Sequence, residues 1–132
     1  MTLEPGVLVL LVDDNRETLE PWAIFLGRVG LGVETAAGGE QALEMARSVM
    51  PDAIVMDLAM PGLDGWQVTR QLKSDAVTRS IPVIVWTASA SPEVKEAAER
   101  AGCDAFLAKP VSPTLLVAEI QRVVECARQS RG

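Results

Sequence analysis

The sequence predicts an α/β fold in which a doubly wound parallel sheet of five strands is combined with five helices. Short β-branched runs alternate with amphipathic helical patterns along the whole chain, as expected for successive β-α units. The strand runs are almost continuously apolar, which favours strands covered by helices on both faces. No repeat or internal linker divides the 132 residues. We therefore predict one domain over 1–132, with its core at about 7–124 and a C-terminal tail at 125–132.

Each predicted element follows from a local pattern. The strands are the apolar runs at 7–12, 32–36, 53–56, 82–86 and 105–108. Between them, apolar residues recur at i, i+3, i+4 and i+7 and predict core-facing helical stripes: Leu19, Trp22, Ala23 and Leu26; Val94, Ala97, Ala98 and Ala101; Leu116, Ile120, Val123 and Ala127. Pro21 lies inside the first helical pattern, where it predicts a bend or a late helix start.

Residues typical of helix ends support these helices. Ser91-Pro92 and Ser112-Pro113 each place a capping hydroxyl ahead of a proline at the first helical position. Gly38-Gly39 opens the second helix, and Gly102 follows the fourth. The final "ARQSRG" is expected to fray.

Composition excludes several classes of function. A net charge of −6 without any cluster of Lys or Arg argues against direct nucleic-acid binding. No apolar run approaches the roughly 20 residues that cross a bilayer, so membrane insertion is not expected. The amino terminus lacks a signal peptide, and we expect a cytoplasmic protein in which Cys103 and Cys126 are reduced thiols. The absence of histidine excludes serine triads, histidine-bound zinc and a phosphohistidine on this chain.

Residues that can carry chemistry follow four of the five strands. Asp13 and Asp14 follow the first strand, Asp57 the third, Thr87 the fourth and Lys109 the fifth. Functional residues of open α/β sheets gather at this carboxyl edge. Taken singly, each residue also fits a structural role, such as a loop cap for Asp57 or a surface charge for Lys109. Their joint placement favours one site.

The motifs "LVDDN", "MDLAMPGLDG", "VWTASA" and "FLAKP" occur in this order, and the chain resembles the receiver domain of two-component response regulators from about Val7 to Val124. The resemblance implies a flavodoxin-like sheet with strand order 2-1-3-4-5. In that order Thr87 would lie one strand from Asp57, about 4.8 Å away, and Lys109 two strands away, roughly 10 Å. A short hydroxyl and a long flexible amine suit those distances.

The resemblance also implies a phosphoacceptor site. Asp57 would accept a phosphoryl group from a phosphohistidine on a sensor histidine kinase or a histidine phosphotransfer protein. Mg²⁺ would be bound directly by Asp14 and Asp57, mostly through water by Asp13, and by the backbone carbonyl of Ala59. The domain would assist its own phosphorylation and dephosphorylation and would not be an enzyme acting on other substrates.

Signal output is implied by three further residues. Lys109 would neutralise phosphoryl charge, and the Thr87 hydroxyl would donate a hydrogen bond to a phosphoryl oxygen. Thr87 and Phe106 would form a switch that alters the surface of the fourth helix, fifth strand and fifth helix, which a downstream effector domain or protein reads. Trp22, Trp66 and Trp86 are assigned to packing alone.

Some positions depart from the family pattern. Ala59 and Ser89 stand where many members carry larger polar side chains that influence dephosphorylation, so the phosphoryl lifetime stays open. Phe106 replaces a common tyrosine, and Val111 replaces a frequent aromatic residue.

Three other classes can be compared with this interpretation. A flavodoxin would need a hydroxyl- and glycine-rich phosphate loop after the first strand, where "DDNRET" stands. An aspartyl-phosphate phosphatase commonly carries its nucleophile there as D-x-D. A phosphorylation-independent interaction module on the same fold remains the main alternative.

Overall fold

Strands and helices alternate strictly in the computed structural model, which describes residues 6–60 and 62–131. The strands are β1 Leu8–Val12, β2 Gly32–Ala36, β3 Ala53–Asp57, β4 Val83–Thr87 and β5 Ala105–Ala108. The helices are α1 Arg16–Arg28, α2 Gly39–Val49, α3 Gly65–Ser74, α4 Pro92–Ala101 and α5 Pro113–Arg131. The predicted domain limits at residues 1 and 132 fall outside the described residues.

All five strands run parallel in the order β2-β1-β3-β4-β5, which confirms the predicted fold class and strand order. The register pairs Asp57 at the end of β3 with Trp86 in β4, and Thr87 with Ala108 in β5. Parallel strands that end at one level bring their following residues together at one edge of the sheet. This carboxyl edge therefore collects the residues singled out from the sequence.

The sheet separates two apolar layers. Alternate strand residues point to opposite faces, so Val9 and Leu11 join the layer beneath α1 and α5, whereas Leu10 and Val12 join the layer beneath α2, α3 and α4. The helices complete each layer with buried stripes that include Leu26 in α1 and the group Leu116, Ile120 and Val123 in α5. The predicted stripes are thus largely core-facing.

The start and end of α4 lie at the capping residues predicted from the sequence. The Ser91 hydroxyl accepts a hydrogen bond from the Val94 N–H and caps α4. Gly102 ends the same helix with φ of 105°, a left-handed conformation that favours glycine. Among the described residues, no helix combines the length and the apolar character needed to cross a bilayer.

Three local predictions are corrected by the structure. Edge strand β2 is largely exposed, because only Ala36 of its five residues is buried. The late start predicted from Pro21 is wrong: α1 begins at Arg16, where the Asn15 side chain accepts a hydrogen bond from the Glu17 N–H, and it continues through the proline. Pro21 is exposed, so water can reach the carbonyl that lacks its usual donor. Residues 127–131 of the "ARQSRG" segment continue helix α5, where the sequence predicts fraying.

Candidate functional site

Three carboxylates converge at the carboxyl edge of the sheet. Asp13 and Asp14 follow β1, and Asp57 is the last residue of the neighbouring β3. One oxygen from each lies within 4.8 Å of the others. Asp13 and Asp57 are buried, whereas Asp14 is exposed. The pair of adjacent acids after β1 therefore supplies one carboxylate to the interior of the site and one to its solvent side.

Asp57 is held in an environment that disfavours its charge. Burial raises the pKa of the Asp57 carboxyl above its ordinary value, and the nearby carboxylates of Asp13 and Asp14 raise it further. The Lys109 ammonium and a hydrogen bond from the Ala59 N–H to Asp57 Oδ1, at 3.2 Å, act in the opposite direction. Burial is the largest of these effects, so additional positive charge at this position would be favourable.

Lys109 is the cation of the site. Its Nζ lies 2.8 Å from Asp13 Oδ2 and 3.6 Å from Asp57 Oδ2. The Lys109 N–H donates to the Thr87 carbonyl at 2.8 Å, which ties the start of the β5-α5 loop to the end of β4. Asp13 also accepts from the Asn15 N–H at 3.0 Å through its other oxygen. The shorter ion pair is thus made with Asp13 and not with Asp57.

Thr87 ends β4 beside the acids and is almost completely buried. Its hydroxyl oxygen accepts a hydrogen bond from the Ser89 N–H at 3.2 Å, which leaves the hydroxyl proton available. Within the described residues no hydrogen bond joins Thr87 to Asp57. The predicted residues therefore meet at one edge, with Thr87 at the end of the strand adjacent to that of Asp57.

Phe106 lies farther from the acids, in the middle of β5. It is half-buried, packs against the layer beneath α2, α3 and α4, and pairs in register with Val85. It also lines a surface groove of about 260 Å³ between Lys95 and Glu99 of α4 and Glu119 of α5. The ring is thus placed between the core and the surface formed by α4, β5 and α5.

Gly65 is a site residue that the sequence analysis did not single out. It begins α3 directly against the backbone of β3 and the following residue. A Cβ atom at this position would lie 2.5 Å from the Asp57 carbonyl oxygen and 2.7 Å from Leu58 Cα, distances that real Cβ atoms essentially never show. The glycine at the start of an amphipathic helix just after the Asp57 loop was the available signal.

Trp86 is the second residue that the sequence analysis missed, because it was assigned to packing alone. Its side chain is fully buried and packs edge-on against Trp22, with ring centroids 5.5 Å apart. The Lys109 Nζ also lies 5.0 Å from the centre of the Trp86 ring. The position of Trp86 next to Thr87 at a strand end was the signal that could have indicated this contact.

The donor set at this edge fits a hard divalent cation. Carboxylate oxygens are the ligands that Mg²⁺ prefers, and it commonly uses one or two carboxylates together with waters and phosphate oxygens. Within the described residues, Lys109 pairs with Asp13 and Asp57, and the third acid, Asp14, faces solvent, so the three carboxylates carry more negative charge than this ammonium offsets. The arrangement can accept a cation and, with it, an anionic phosphoryl group.

Comparisons with known proteins agree with this geometry. A family model described as the response regulator receiver domain matches residues 9–121. The protein PilH of Pseudomonas aeruginosa is 37% identical over 116 residues, which make up 88% of this chain and 96% of PilH. The response regulator MprA of Mycobacterium ulcerans is 40% identical over 119 residues, which make up 90% of this chain and 50% of MprA, so the chain spans about half of that relative.

A solved structure is similar over the same extent. The receiver domain of the sensor histidine kinase PA1611 from Pseudomonas aeruginosa, solved with a magnesium ion coordinated in its active site cleft, is 34% identical. The two structures give a TM-score of 0.84, with 91% of this chain and 98% of that chain covered. With most of its length matched by the family model and by these relatives, the chain belongs to the response regulator receiver domains of two-component signalling.

Proposed function

We propose that this domain is a phosphoacceptor in which Asp57 receives a phosphoryl group in an Mg²⁺-dependent reaction. The observation that carries the proposal is the placement of Asp57 at the end of the central strand, within reach of two further carboxylates and of Lys109. A magnesium ion in the cleft of the PA1611 receiver supports the same assignment for Asp13, Asp14, Asp57 and the carbonyl of Ala59.

The reaction would transfer a phosphoryl group from a histidine nitrogen to an Asp57 carboxylate oxygen. An Asp57 carboxylate oxygen attacks the phosphorus of a phosphohistidine, the P–N bond breaks, and the imidazole leaves as an O–P bond forms. Bound Mg²⁺ would neutralise charge on the phosphoryl oxygens. Lys109 would turn from Asp13 toward the new dianion, and the Thr87 hydroxyl would donate a hydrogen bond to one of its oxygens.

The phosphohistidine must lie outside this chain, because the chain contains no histidine. We propose a sensor histidine kinase or a histidine phosphotransfer protein in the cytoplasm as the donor. Since the chain spans half of MprA but nearly all of PilH, the effector that reads the domain is proposed as either an attached domain or a separate protein. Direct contact with nucleic acid is not expected for a domain with a net charge of −6.

Output would follow from the movement of Thr87. Once its hydroxyl is drawn to the phosphoryl group, space near the end of β4 becomes available to the ring of Phe106, which lies half-buried on the next strand. The ring has no phenolic hydroxyl to desolvate, so its inward position should be populated readily. The surface formed by α4, β5 and α5 would then change with the phosphorylation state.

Labelling with a small acyl phosphate tests the assignment of the phosphoacceptor. The parent should gain one phosphoryl group in the presence of Mg²⁺, seen by intact mass spectrometry and removed by hydroxylamine. Asp57→Asn should not be labelled, and Asp14→Ala should be labelled only slowly. Asp52→Asn, which alters an acid at the opposite edge of the sheet, serves as the control. Labelling of Asp57→Asn, or labelling of the parent without metal, would show that the proposal is wrong and would favour a phosphorylation-independent module.

Amide chemical shifts test the proposed switch separately. With beryllium fluoride as the phosphoryl mimic, residues 90–120 should shift in the parent and much less in Thr87→Ala. Equal responses in both proteins would show that the signal leaves by another surface.

A further inference from the structure

The side chain of Trp86 makes a contact that core packing does not require. It is fully buried in β4, yet the Lys109 Nζ lies 5.0 Å from its ring centre. A cation within about 6 Å of an aromatic face is attracted by the ring quadrupole, and indole is the strongest of the natural rings in this respect. The same ammonium pairs with Asp13 at 2.8 Å and approaches Asp57 at 3.6 Å. Lys109 is therefore held by the indole and by the acids together.

We propose that Trp86 is a positioning residue that holds the Lys109 ammonium at the site while its ion-pair partner changes from Asp13 to a phosphoryl group on Asp57. This inference rests on the proposed function. The attraction to a ring face has no single acceptor atom, so it persists as the ammonium turns from one anion to the next. A lysine on a flexible four-carbon stem would otherwise lose much of its conformational freedom at that step.

Tryptophan at this position carries a cost that the contact with Lys109 partly offsets. The buried indole N–H of Trp86 has no hydrogen-bond acceptor among the described residues. A buried donor without a partner destabilises a fold. Trp66 has the same unpaired donor, so the observation that carries the inference is the 5.0 Å approach of the Lys109 Nζ to the Trp86 ring.

The indole ring of Trp86 is held in place by aromatic side chains of α1. Trp22 packs edge-on against Trp86 with an interplanar angle of 66°, and Phe25 packs edge-on against Trp22 at 83°. Such pairs constrain the ring planes. A cavity of about 440 Å³ lies beside this row and is lined by Trp86, Lys109 and Val111 among others. Without the indole, the lysine side chain would have room to leave the acids.

Two variants and one control test the role of Trp86. Trp86→Leu removes the aromatic ring, and Trp86→Phe keeps a weaker one. Trp66→Leu is the control. Trp66 is half-buried and, like Trp86, has a buried, unpaired indole N–H, but it packs in the opposite layer, away from Lys109. The first measurement is the proton chemical shift of the Lys109 ε-methylene group without any phosphodonor. We expect an upfield ring-current shift in the parent and in Trp66→Leu, a smaller one in Trp86→Phe, and none in Trp86→Leu.

The second measurement is the initial rate of Asp57 labelling by the acyl phosphate at saturating Mg²⁺. It should fall roughly 3- to 30-fold in Trp86→Leu, the range expected from losing one cation–π contact, with Trp86→Phe in between. Trp66→Leu should label at close to the parent rate. If Trp86→Leu does not fold, Trp86→Phe carries the test, and a parent-like rate in that variant overturns the inference.

The two proposals fail in different ways. If the parent is not labelled at all, the phosphoacceptor assignment fails. If the Lys109 ε-methylene shift is the same in the parent and in Trp86→Leu, the positioning role fails whatever the labelling shows. If the labelling rate falls equally in Trp66→Leu and Trp86→Leu, the loss is a general effect of disturbed packing, and the positioning role of Trp86 is likewise overturned.

Discussion

The two edges of the sheet use the same residue types in opposite ways. At the amino edge, Asp52 accepts from the Leu8 N–H at 2.8 Å, and Asp104 accepts from the Val83 N–H at 2.8 Å. Asp104 also pairs with Lys73 at 2.9 Å. Each of these acids precedes a strand and satisfies the first N–H of a neighbouring strand, so its charge is balanced locally.

The carboxyl edge is not balanced in this way. The Lys109 ammonium lies 2.8 Å from Asp13 and 3.6 Å from Asp57, Asp14 is exposed, and burial raises the pKa of Asp57. The acids of the amino edge therefore stabilise the sheet, whereas the buried charge of ionised Asp57 at the carboxyl edge lowers its stability. The same residue type is thus fully compensated at one edge of the sheet and only partly compensated at the other.

The largest expected effect comes from disturbing the backbone beneath the carboxyl edge. Gly65→Ala places a Cβ against the backbone of Asp57 and Leu58, and we expect a loss of about 3 kcal/mol in the free energy of unfolding. Urea denaturation followed by circular dichroism measures it. Gly27→Ala in α1 is the matched control, because no atom lies within 4 Å of its added Cβ and a gain of roughly 0.5–1 kcal/mol is expected. A tolerated Gly65→Ala would show that α3 can shift away from β3.

A smaller loss is expected at the amino edge. Asp104→Ala leaves the buried Val83 N–H without its acceptor and removes the partner of Lys73, which should cost about 2 kcal/mol. Asp104→Asn keeps an acceptor oxygen and should recover part of this loss. The same urea denaturation applies. If Asp104→Ala is as stable as the parent, the amino edge is not held by its acids and the contrast between the edges is lost.

The smallest expected effect is an increase in stability, caused by Asp57→Asn. A pKa raised in the folded protein means that folding disfavours ionised Asp57, so Asp57→Asn should melt at a higher temperature than the parent in EDTA at pH 7. Below the ordinary aspartate pKa of 3.8 the carboxyl is neutral in both states and the difference should vanish; it should grow as the pH rises above that value.

Two controls accompany this measurement. Asp52→Asn at the amino edge should not raise the melting temperature, because that carboxylate accepts a backbone hydrogen bond. Millimolar Mg²⁺ should stabilise the parent and reduce or reverse the advantage of Asp57→Asn, since a ligand that binds only the folded state favours it. A parent that is more stable than Asp57→Asn in EDTA would contradict the charge excess at the carboxyl edge.

Much of this molecule was predictable from local sequence. The apolar runs place all five strands within one residue at each end, and the caps at Ser91 and Gly102 were identified correctly. The local patterns were less reliable for features that depend on exposure to solvent. Pro21 is tolerated inside α1 on its exposed side, and β2 is exposed because it forms the edge of the sheet. Neither exposure can be inferred from the segment alone.

The residues at the carboxyl edge could be named from the strand pattern, because a residue that directly follows a parallel strand must lie there once the strands align. How those residues interact depends on the folded arrangement. It pairs Lys109 with Asp13 more closely than with Asp57, lays the ammonium over Trp86, and packs Gly65 against the backbone of Asp57. Each contact joins residues from different elements of the fold. Their relative strengths depend on burial and side-chain conformation, which are properties of the assembled layers and not of any local pattern.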